Sequence, residues 1–237
     1  MADEDAPQCK VTYTDKEEPE ETNWISRAGS ASVVYPNGHT FTGTFDSEKV
    51  KQGKGVYVWM GPAGEEGEEL VQKASYDGEY KNGLREGFGT MIFPNKDVYE
   101  GTWAANKMHG EGTYTYNSKA KNGGPADIYS GSFVEGKKAG QGRYEFGEDQ
   151  SMFSGTWVDG EMTTGQWELK GAAVYTGNFQ LSRPIGEGQF DFAGGLSQSG
   201  SYNVKPLAEG EEPEAVEEGA PPVPPNVSWS GNNIVAF

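Results

Sequence analysis

The stretch YDGEYKNGLREGFGTMIFPN, residues 76–95, decides how this chain folds. Tyr76, Gly78 and Tyr80 alternate with Asp77 and Glu79, so an extended backbone has one aromatic side and one charged side. Alternation at a period of two is the signature of a strand with one buried face. Asn82-Gly83 and Gly87 then supply turn chemistry, and Gly89, Met91 and Phe93 resume the period on the way out. Strand, glycine-bearing loop and strand predict a β-hairpin, with Pro94-Asn95 turning into the next one. A glycine in the middle of an aromatic face leaves room for a ring to lie across the backbone.

The pattern restarts on both sides. Copies open at Tyr99 (YEGTWAANKMHGEGTYTY), Tyr129 (YSGSFVEGKKAGQGRYEF), Phe153 (FSGTWVDGEMTTGQWEL) and Tyr175 (YTGNFQLSRPIGEGQFDF), and an earlier one opens at Phe41 (FTGTFDSEKVKQGKGVYVW). Five framework triplets of aromatic, glycine and aromatic follow. They are Tyr76, Gly78 and Tyr80; Tyr99, Gly101 and Trp103; Tyr129, Gly131 and Phe133; Phe153, Gly155 and Trp157; and Tyr175, Gly177 and Phe179. Start-to-start spacings from Phe41 are 35, 23, 30, 24 and 22 residues, the two long ones holding insertions at 61–74 and 118–127. Half-copies at 31–38 and 198–202 flank six full units, so the array covers about residues 28–204. Glu48 and Ser182 stand where other copies carry an early glycine, and the fifth copy is a residue short before Gly165. These departures are expected to alter turn shape and leave the strand code intact. Tandem units of this length stack on their neighbours rather than around one core. The expected fold is all-β: a single-layer, twisted, antiparallel ribbon of hairpins with disordered acidic tails. A lone layer should leave part of its aromatic face open.

Composition agrees. Glycine makes up 35 of 237 residues and aromatics 12%, while hydrophobic content is 34%, which suits thin, turn-rich β-structure. Net charge is −17. Residues 1–27 carry 8 acids against 3 bases and residues 205–237 carry 6 against 1, leaving 22 against 15 for the rest. The organisation is an acidic leader (1–27), the array (28–204), a disordered Pro/Glu-rich linker (205–225) and an apolar anchor segment (226–237). Such charge argues against a nucleic-acid partner and against unaided binding to anionic lipid. Cys9 is the only cysteine and has no internal disulfide partner. The leader lacks the basic and apolar regions of a signal peptide, and no apolar run approaches the ~20 residues of a membrane span. A cytosolic or cytoskeletal setting is expected.

Catalytic chemistry finds no footing. His39 and His109 have no Cys or His cluster for a metal, and no nucleophile sits in an elbow motif. The G-x-G pairs recur in every hairpin loop without leading into a helix, so they are turn glycines and predict no cofactor. The loop cations Lys49, Lys51, Lys54, Lys81, Arg85, Lys107, Lys137 and Lys138 are intermixed with acids and read as solvated charges, with contact to an acidic partner as the alternative. Two features suggest protein partners instead. Val34, Val56, Val58, Phe88 and Ile92 are apolar on the otherwise polar face, where later copies carry Arg143, Glu145, Gln166, Glu168, Gln189 and Asp191. This end of the array either docks a partner or packs under the leader, which holds Trp24 and Ile25. The last segment, with Trp229, Ile234 and Phe237, either anchors on a sheet edge elsewhere or caps the last hairpin of its own chain.

The tandem unit, aromatic-x-Gly-x-aromatic followed by G-x-G-x-aromatic-x-aromatic, resembles the MORN repeat (membrane occupation and recognition nexus), over roughly three quarters of the chain. The resemblance implies a non-enzymatic scaffold. An array nearly filled with repeats and bearing acidic ends is similar to the MORN subunits of the radial spoke head in motile cilia and flagella. That likeness implies an axonemal, cytoskeletal setting and other protein subunits as partners, with no cofactor. The competing implication is a peripheral membrane or phosphoinositide-binding module, which the net charge opposes.

Overall fold

Period-two alternation is realised as strands throughout the computed structural model, which describes residues 8–15, 19–64, 69–120, 123–204 and 226–236. The expected linker at 205–225 lies outside the described residues, as does Phe237. Two units divide the chain, Met1–Ser118 and Lys119–Phe237. The first holds β1 (Lys10–Tyr13), β2 (Glu20–Thr22), β3 (Gly29–Val34), β4 (Thr40–Phe45), β5 (Lys51–Pro62), β6 (Leu70–Lys81), β7 (Leu84–Ile92), β8 (Val98–Ala104) and β9 (Lys107–Tyr116). Here β1 lies between β2 and β3, and from β3 to β9 each strand pairs antiparallel with the next. The second holds β10 (Asp127–Val134), β11 (Lys137–Glu145), β12 (Met152–Val158), β13 (Glu161–Leu169), β14 (Ala173–Gln180), β15 (Arg183–Phe192), β16 (Leu196–Val204), β17 (Val227–Gly231) and β18 (Val235–Ala236). From β10 to β16 pairing is again successive, and β17 and β18 both pair with β16.

One hairpin explains the rest. In β6/β7, Gly78 faces Gly89 and Tyr76 faces Met91, while Tyr80 faces Arg85, so residues 86–88 bulge opposite Glu79. Gly87 sits in that bulge at φ +67°, a conformation that favours glycine. The second glycine of the G-x-G has a different task. The Tyr76 ring lies across the paired Gly78 and Gly89, and a Cβ on Gly78 would stand 2.5 Å from both Tyr76 Oη and Gly89 Cα. Tyr76 Oη donates to the Glu79 carbonyl at 3.1 Å. Its ring makes edge-to-face contacts at 5.3 Å with Tyr80 and with Trp103 of the next hairpin. Trp103 Nε1 in turn donates to the Gly89 carbonyl at 3.0 Å. Each such ring pair adds roughly 0.5–1.5 kcal/mol beyond the area it buries.

Phe41, Tyr99, Tyr129 and Tyr175 lie over their own glycine pairs in the same way. In the sixth hairpin Gly177 faces Gly188, and a Cβ on Gly177 would stand 2.6 Å from Tyr175 Cζ. Phe179 closes that triplet: it is buried opposite Pro184, with its ring edge-to-face against Tyr175 at 5.7 Å. The leading rings are consequently buried although no second layer covers them among the described residues. The open aromatic face expected from sequence is thus confined to second-strand rings such as Tyr57, Trp59, Phe93 and Tyr114, which are half-buried.

The fifth hairpin corrects the expectation that its shorter loop would change only the turn. Gly155 faces Gly165 as the code requires, but a Cβ on Gly155 would meet backbone first, the Thr164 carbonyl oxygen and Gly165 Cα at 2.7 Å, rather than the Phe153 ring. With one residue fewer in the loop, Trp157 pairs with Met162, and Met162, fully buried, reaches over Gly165 where a ring sits elsewhere. Phe153 packs sideways instead, edge-to-face on Phe146 at 5.1 Å and on Phe179 at 5.4 Å.

The insertion at 61–74 is largely ladder, because β5 and β6 stay paired from Trp59↔Ala74 out to Pro62↔Leu70. Two pieces of the leader, Lys10–Tyr13 and Glu20–Thr22, are strands rather than tail: β1 pairs with β2 and β3, and Val11 and Tyr13 are fully buried. Tyr13 Oη donates to the Arg27 carbonyl at 3.0 Å and accepts the Ser26 and Arg27 amides, while Arg27 is bound to Asp15 and Glu20.

Candidate functional site

Antiparallel pairing sets the outer-face side chains in rungs across the strands. Val34 pairs with Thr40, Thr40 with Val58, Val58 with Ser75, Ser75 with Ile92 and Ile92 with Val98. Three of the five residues singled out from sequence thus share one rung. Val56 falls on the next rung, opposite Thr42 and Asp77, and Phe88 lies opposite Thr102. Val34, Val56 and Phe88 are 45%, 36% and 51% exposed, whereas Val58 and Ile92 are half-buried. The polar neighbours bond to one another, with Ser32 and Thr42 hydroxyls 3.1 Å apart. The leader does not cover this strip among the described residues. Val11 and Tyr13 pair with Val33 and Ala31, on the ring side, and Trp24 is itself 56% exposed under Lys49 Nζ at 4.6 Å.

The C-terminal choice resolves toward the chain itself. Trp229 pairs with Tyr202 and Gly231 with Gly200, so β16 and β17 complete the half-copy at 198–202 as a hairpin without a tight turn. The Trp229 ring packs on Phe190 and Tyr202, both at 5.1 Å, and its Nε1 donates to Gln198 Oε1 at 3.1 Å. Trp229 thus follows the capping alternative and is part of the ring ladder. Ile234 remains exposed beside β18.

A second correction concerns the loop cations. Lys51, Arg85 and Lys138 are not solvated; they open β5, β7 and β11 on the ring face, paired with Phe45, Tyr80 and Phe133. Lys51 Nζ lies 4.2 Å from the Tyr57 ring centre, Arg85 Cζ 4.6 Å over Trp103 and Lys138 Nζ 4.3 Å over Trp157. Loss of water lowers the pKa of Lys51 and Arg85, and burial brings Lys138 down to about 8. A parity count would have found them: steps of two back from Gly55, Gly89 and Gly142 end on Lys51, Arg85 and Lys138. Also missed were Asp97 and Asp127, two residues before a leading tyrosine. Asp97 accepts from the Tyr114 hydroxyl and the Ser118 amide, and Asp127 from the Tyr144 hydroxyl and the Gly147 amide. Among the described residues no group of three or more His, Cys, Asp or Glu is placed to hold a metal ion, and no helix is long and apolar enough to cross a membrane.

Known proteins share the repeat in sequence. The family model for the MORN repeat matches residues 41–60, 76–98, 99–121 and 129–148. Over 114 residues the chain is 33% identical to MORN repeat-containing protein 3 of Xenopus laevis, covering 44% of this chain and 43% of that one. It is 37% identical over 84 residues to Alsin of Homo sapiens and of Rattus norvegicus, covering 33% of this chain and 4% of Alsin. The chain thus spans less than half the length of these relatives. The β12/β13 and β14/β15 hairpins, beyond the matched segments, repeat the same strand pairing, with Met162 in place of a ring in the first of them and Tyr175 over Gly177 and Gly188 in the second. Leading rings laid over paired glycines recur in hairpin after hairpin, and the chain carries four segments that match the MORN repeat.

Proposed function

We propose that this chain is a non-enzymatic structural scaffold subunit of an axonemal complex, the radial spoke head of motile cilia and flagella, binding neighbouring subunits through its β-ribbon. The observation that carries the scaffold reading is the exposure of Val34, Val56 and Phe88, with half-buried Val58 and Ile92 beside them, on a face whose other residues are mostly Ser, Thr and acids. Apolar side chains held together on a paired sheet gain by leaving water, and docking is how they leave it. The ladder spaces them at about 4.8 Å per strand, a rigid template for a partner. The axonemal placement draws on family likeness alone, that of a hairpin array with acidic flanks to the spoke-head MORN subunits. The setting that accompanies it is cytoskeletal, with other subunits as ligands and no cofactor.

The test is mass spectrometry of proteins that co-purify with the tagged chain from ciliated cells. Spoke-head subunits are expected in fixed ratio, resistant to moderate salt. Val56→Ser combined with Phe88→Ser should weaken capture by roughly tenfold or more, while the melting temperature moves by no more than about 4 °C. Recovery of membrane proteins and lipids without axonemal partners would replace the setting with a membrane one. A melting temperature that falls while capture stays intact would sink the docking strip.

A further inference from the structure

On the ring face of the first unit lies a cleft of about 340 Å³ whose walls include Lys51, Arg85, Tyr57, Trp59, Tyr80 and Asn106. Its cations need a reason. The same register position holds Met108, Met162 and Pro184 in other hairpins, so the fold itself asks only for bulk there. Yet two successive hairpins place a lysine and an arginine at it, and both lose water by lying against rings. Among the described residues neither has a carboxylate partner, in a chain with 36 acids and a net charge of −17. Arg85 donates through Nη2 to the Asn106 carbonyl at 2.8 Å and through Nη1 to Met91 Sδ at 3.7 Å, which leaves part of its donor fork uncommitted.

Half-buried cations without counter-charge weaken a fold unless a ligand supplies the charge. The second unit holds a smaller cleft in which a second cation, Lys119, is partnered, while Lys138, at the position of Lys51 and Arg85, lies against ring faces as they do. That cleft, of about 180 Å³, brings Lys138 together with Lys119, Tyr144 and Trp157, and Lys119 Nζ bonds Tyr144 Oη at 2.9 Å and lies 3.8 Å from Asp127.

We propose that the cleft between Lys51 and Arg85 binds a glutamate or aspartate side chain of an extended acidic segment on a partner protein. The carboxylate takes the free donors of Lys51 and Arg85, and its methylenes lie against Tyr57, Trp59 and Tyr80. A recess this size fits one side chain rather than a bilayer surface, and the net charge repels anionic lipid. The assignment rests on the scaffold reading, for which it names the chemistry of one partner contact on the face opposite the apolar strip.

Fluorescence anisotropy of the full chain with a labelled peptide of alternating glutamate and alanine, and with its glutamine counterpart, tests the site. The glutamate peptide should bind at least roughly tenfold more tightly than the glutamine one. Lys51→Met with Arg85→Met should remove that preference. Lys51→Arg should keep it, and so should Lys54→Met, at an exposed lysine of the same hairpin. Methionine is the residue the third and fifth hairpins already use, so the double variant should melt at or above the wild-type temperature. If it melts lower, Lys51→Arg set against Lys51→Met decides, because equal binding by the two overturns the site. Equal binding of the glutamate peptide by wild type and a folded double variant overturns it as well, as does no preference for glutamate. Pelleting with phosphatidylserine vesicles that the double variant abolishes, without peptide binding, would assign the cations to lipid and overturn the peptide site. The scaffold reading fails separately, if Val56→Ser with Phe88→Ser leaves every co-purifying protein in place.

Discussion

Along one outer rung of the first unit the side chains run Val34, Thr40, Val58, Ser75, Ile92, Val98 and Thr115. At the same height in the second unit they run Ile128, Glu145, Met152, Glu168, Val174, Asp191 and Ser197. The first row carries no charge; the second inserts an acid between each apolar pair. Directly paired residues on a sheet stand about 4.5–5.5 Å apart, so each acid hydrates the neighbours beside it. On the other side of the same strands the two units agree apart from the fifth hairpin, with rings over paired glycines and indole N–H groups bonded to glycine carbonyls (Trp103 to Gly89, Trp157 to Gly142). The ring side therefore specifies the hairpin, and the outer side is free to differ between repeats. Function is to be sought where otherwise equivalent hairpins diverge.

If the ring side is the common framework, damage to it should cost the same in either unit. Gly101→Ala places a Cβ 2.5 Å from both Gly112 Cα and Tyr99 Oη, and Gly131→Ala places one 2.6 Å from Gly142 Cα and 2.8 Å from Tyr129 Oη. The ring has to leave its seat, and the strands have to part. Each substitution should cost about 2–4 kcal/mol by chemical denaturation. Hydrogen exchange should confine the loss to the altered hairpin and its neighbours. A large effect in one unit and a small one in the other would break the equivalence.

The outer rungs should behave the opposite way. Val58→Glu with Ile92→Glu copies Glu145 and Glu168 into the first unit, on half-buried side chains of the outer face. Stability should change by less than about 1 kcal/mol. Capture of partners by the tagged chain should fall by at least about tenfold, since a charge in a docking strip must be desolvated without a counter-charge. Unchanged capture would mean that the difference between the two rungs is incidental to binding.

The hairpin was legible because its code is local. Tyr76, Gly78 and Tyr80 spell both the period and the seat of the ring within a few residues, and six copies remove ambiguity. What escaped reading depends on pairing at a distance. Trp229 finds Tyr202 across the 205–225 segment, so nothing near it in sequence marks it as the second strand of a hairpin. Val11 and Tyr13 enter the first unit through β3, although an acidic leader shows little of the alternation expected of a strand. Lys51, Arg85 and Lys138 were hidden for another reason. Glycine-rich segments read as loops, yet the bulge at the first glycine keeps the strand's parity, and the strand begins several residues before it. In the fifth hairpin the shorter loop shifts parity by one and brings Met162, not Glu161, over the glycines, so Phe153 and Gly155 keep the triplet's spelling without its ring seat.

Lys138 gives the finest comparison, because Lys138→Met copies the fifth hairpin into the fourth. Burial lowers this ammonium from 10.5 to about 8 in the folded chain, with Glu161 opposing the shift and Lys119 adding to it. Below about pH 8 the lysine is charged both folded and unfolded, and the fold bears the full cost of keeping that charge out of water. Between about pH 8 and 10.5 the unfolded chain holds the proton more strongly, so the cost declines as pH rises. Above that range the group is neutral in both states and the cost is gone. The faces of Trp157, Tyr144 and Tyr129 return part of it through cation–π attraction. Lys138→Met should therefore stabilise the second unit by about 1 kcal/mol at neutral pH, with the gain fading by about pH 10.5. Buried tyrosines add a separate trend of opposite sign. Tyr99 and Tyr175 are pushed up to about 12 by burial, so the stability they lend is complete below pH 10 and lost as pH rises toward 12, in variant and wild type alike. The difference between the two melting curves across pH isolates the lysine. A difference that stays flat from pH 7 to 11 would mean that Lys138 keeps its water, as a solvated loop cation does.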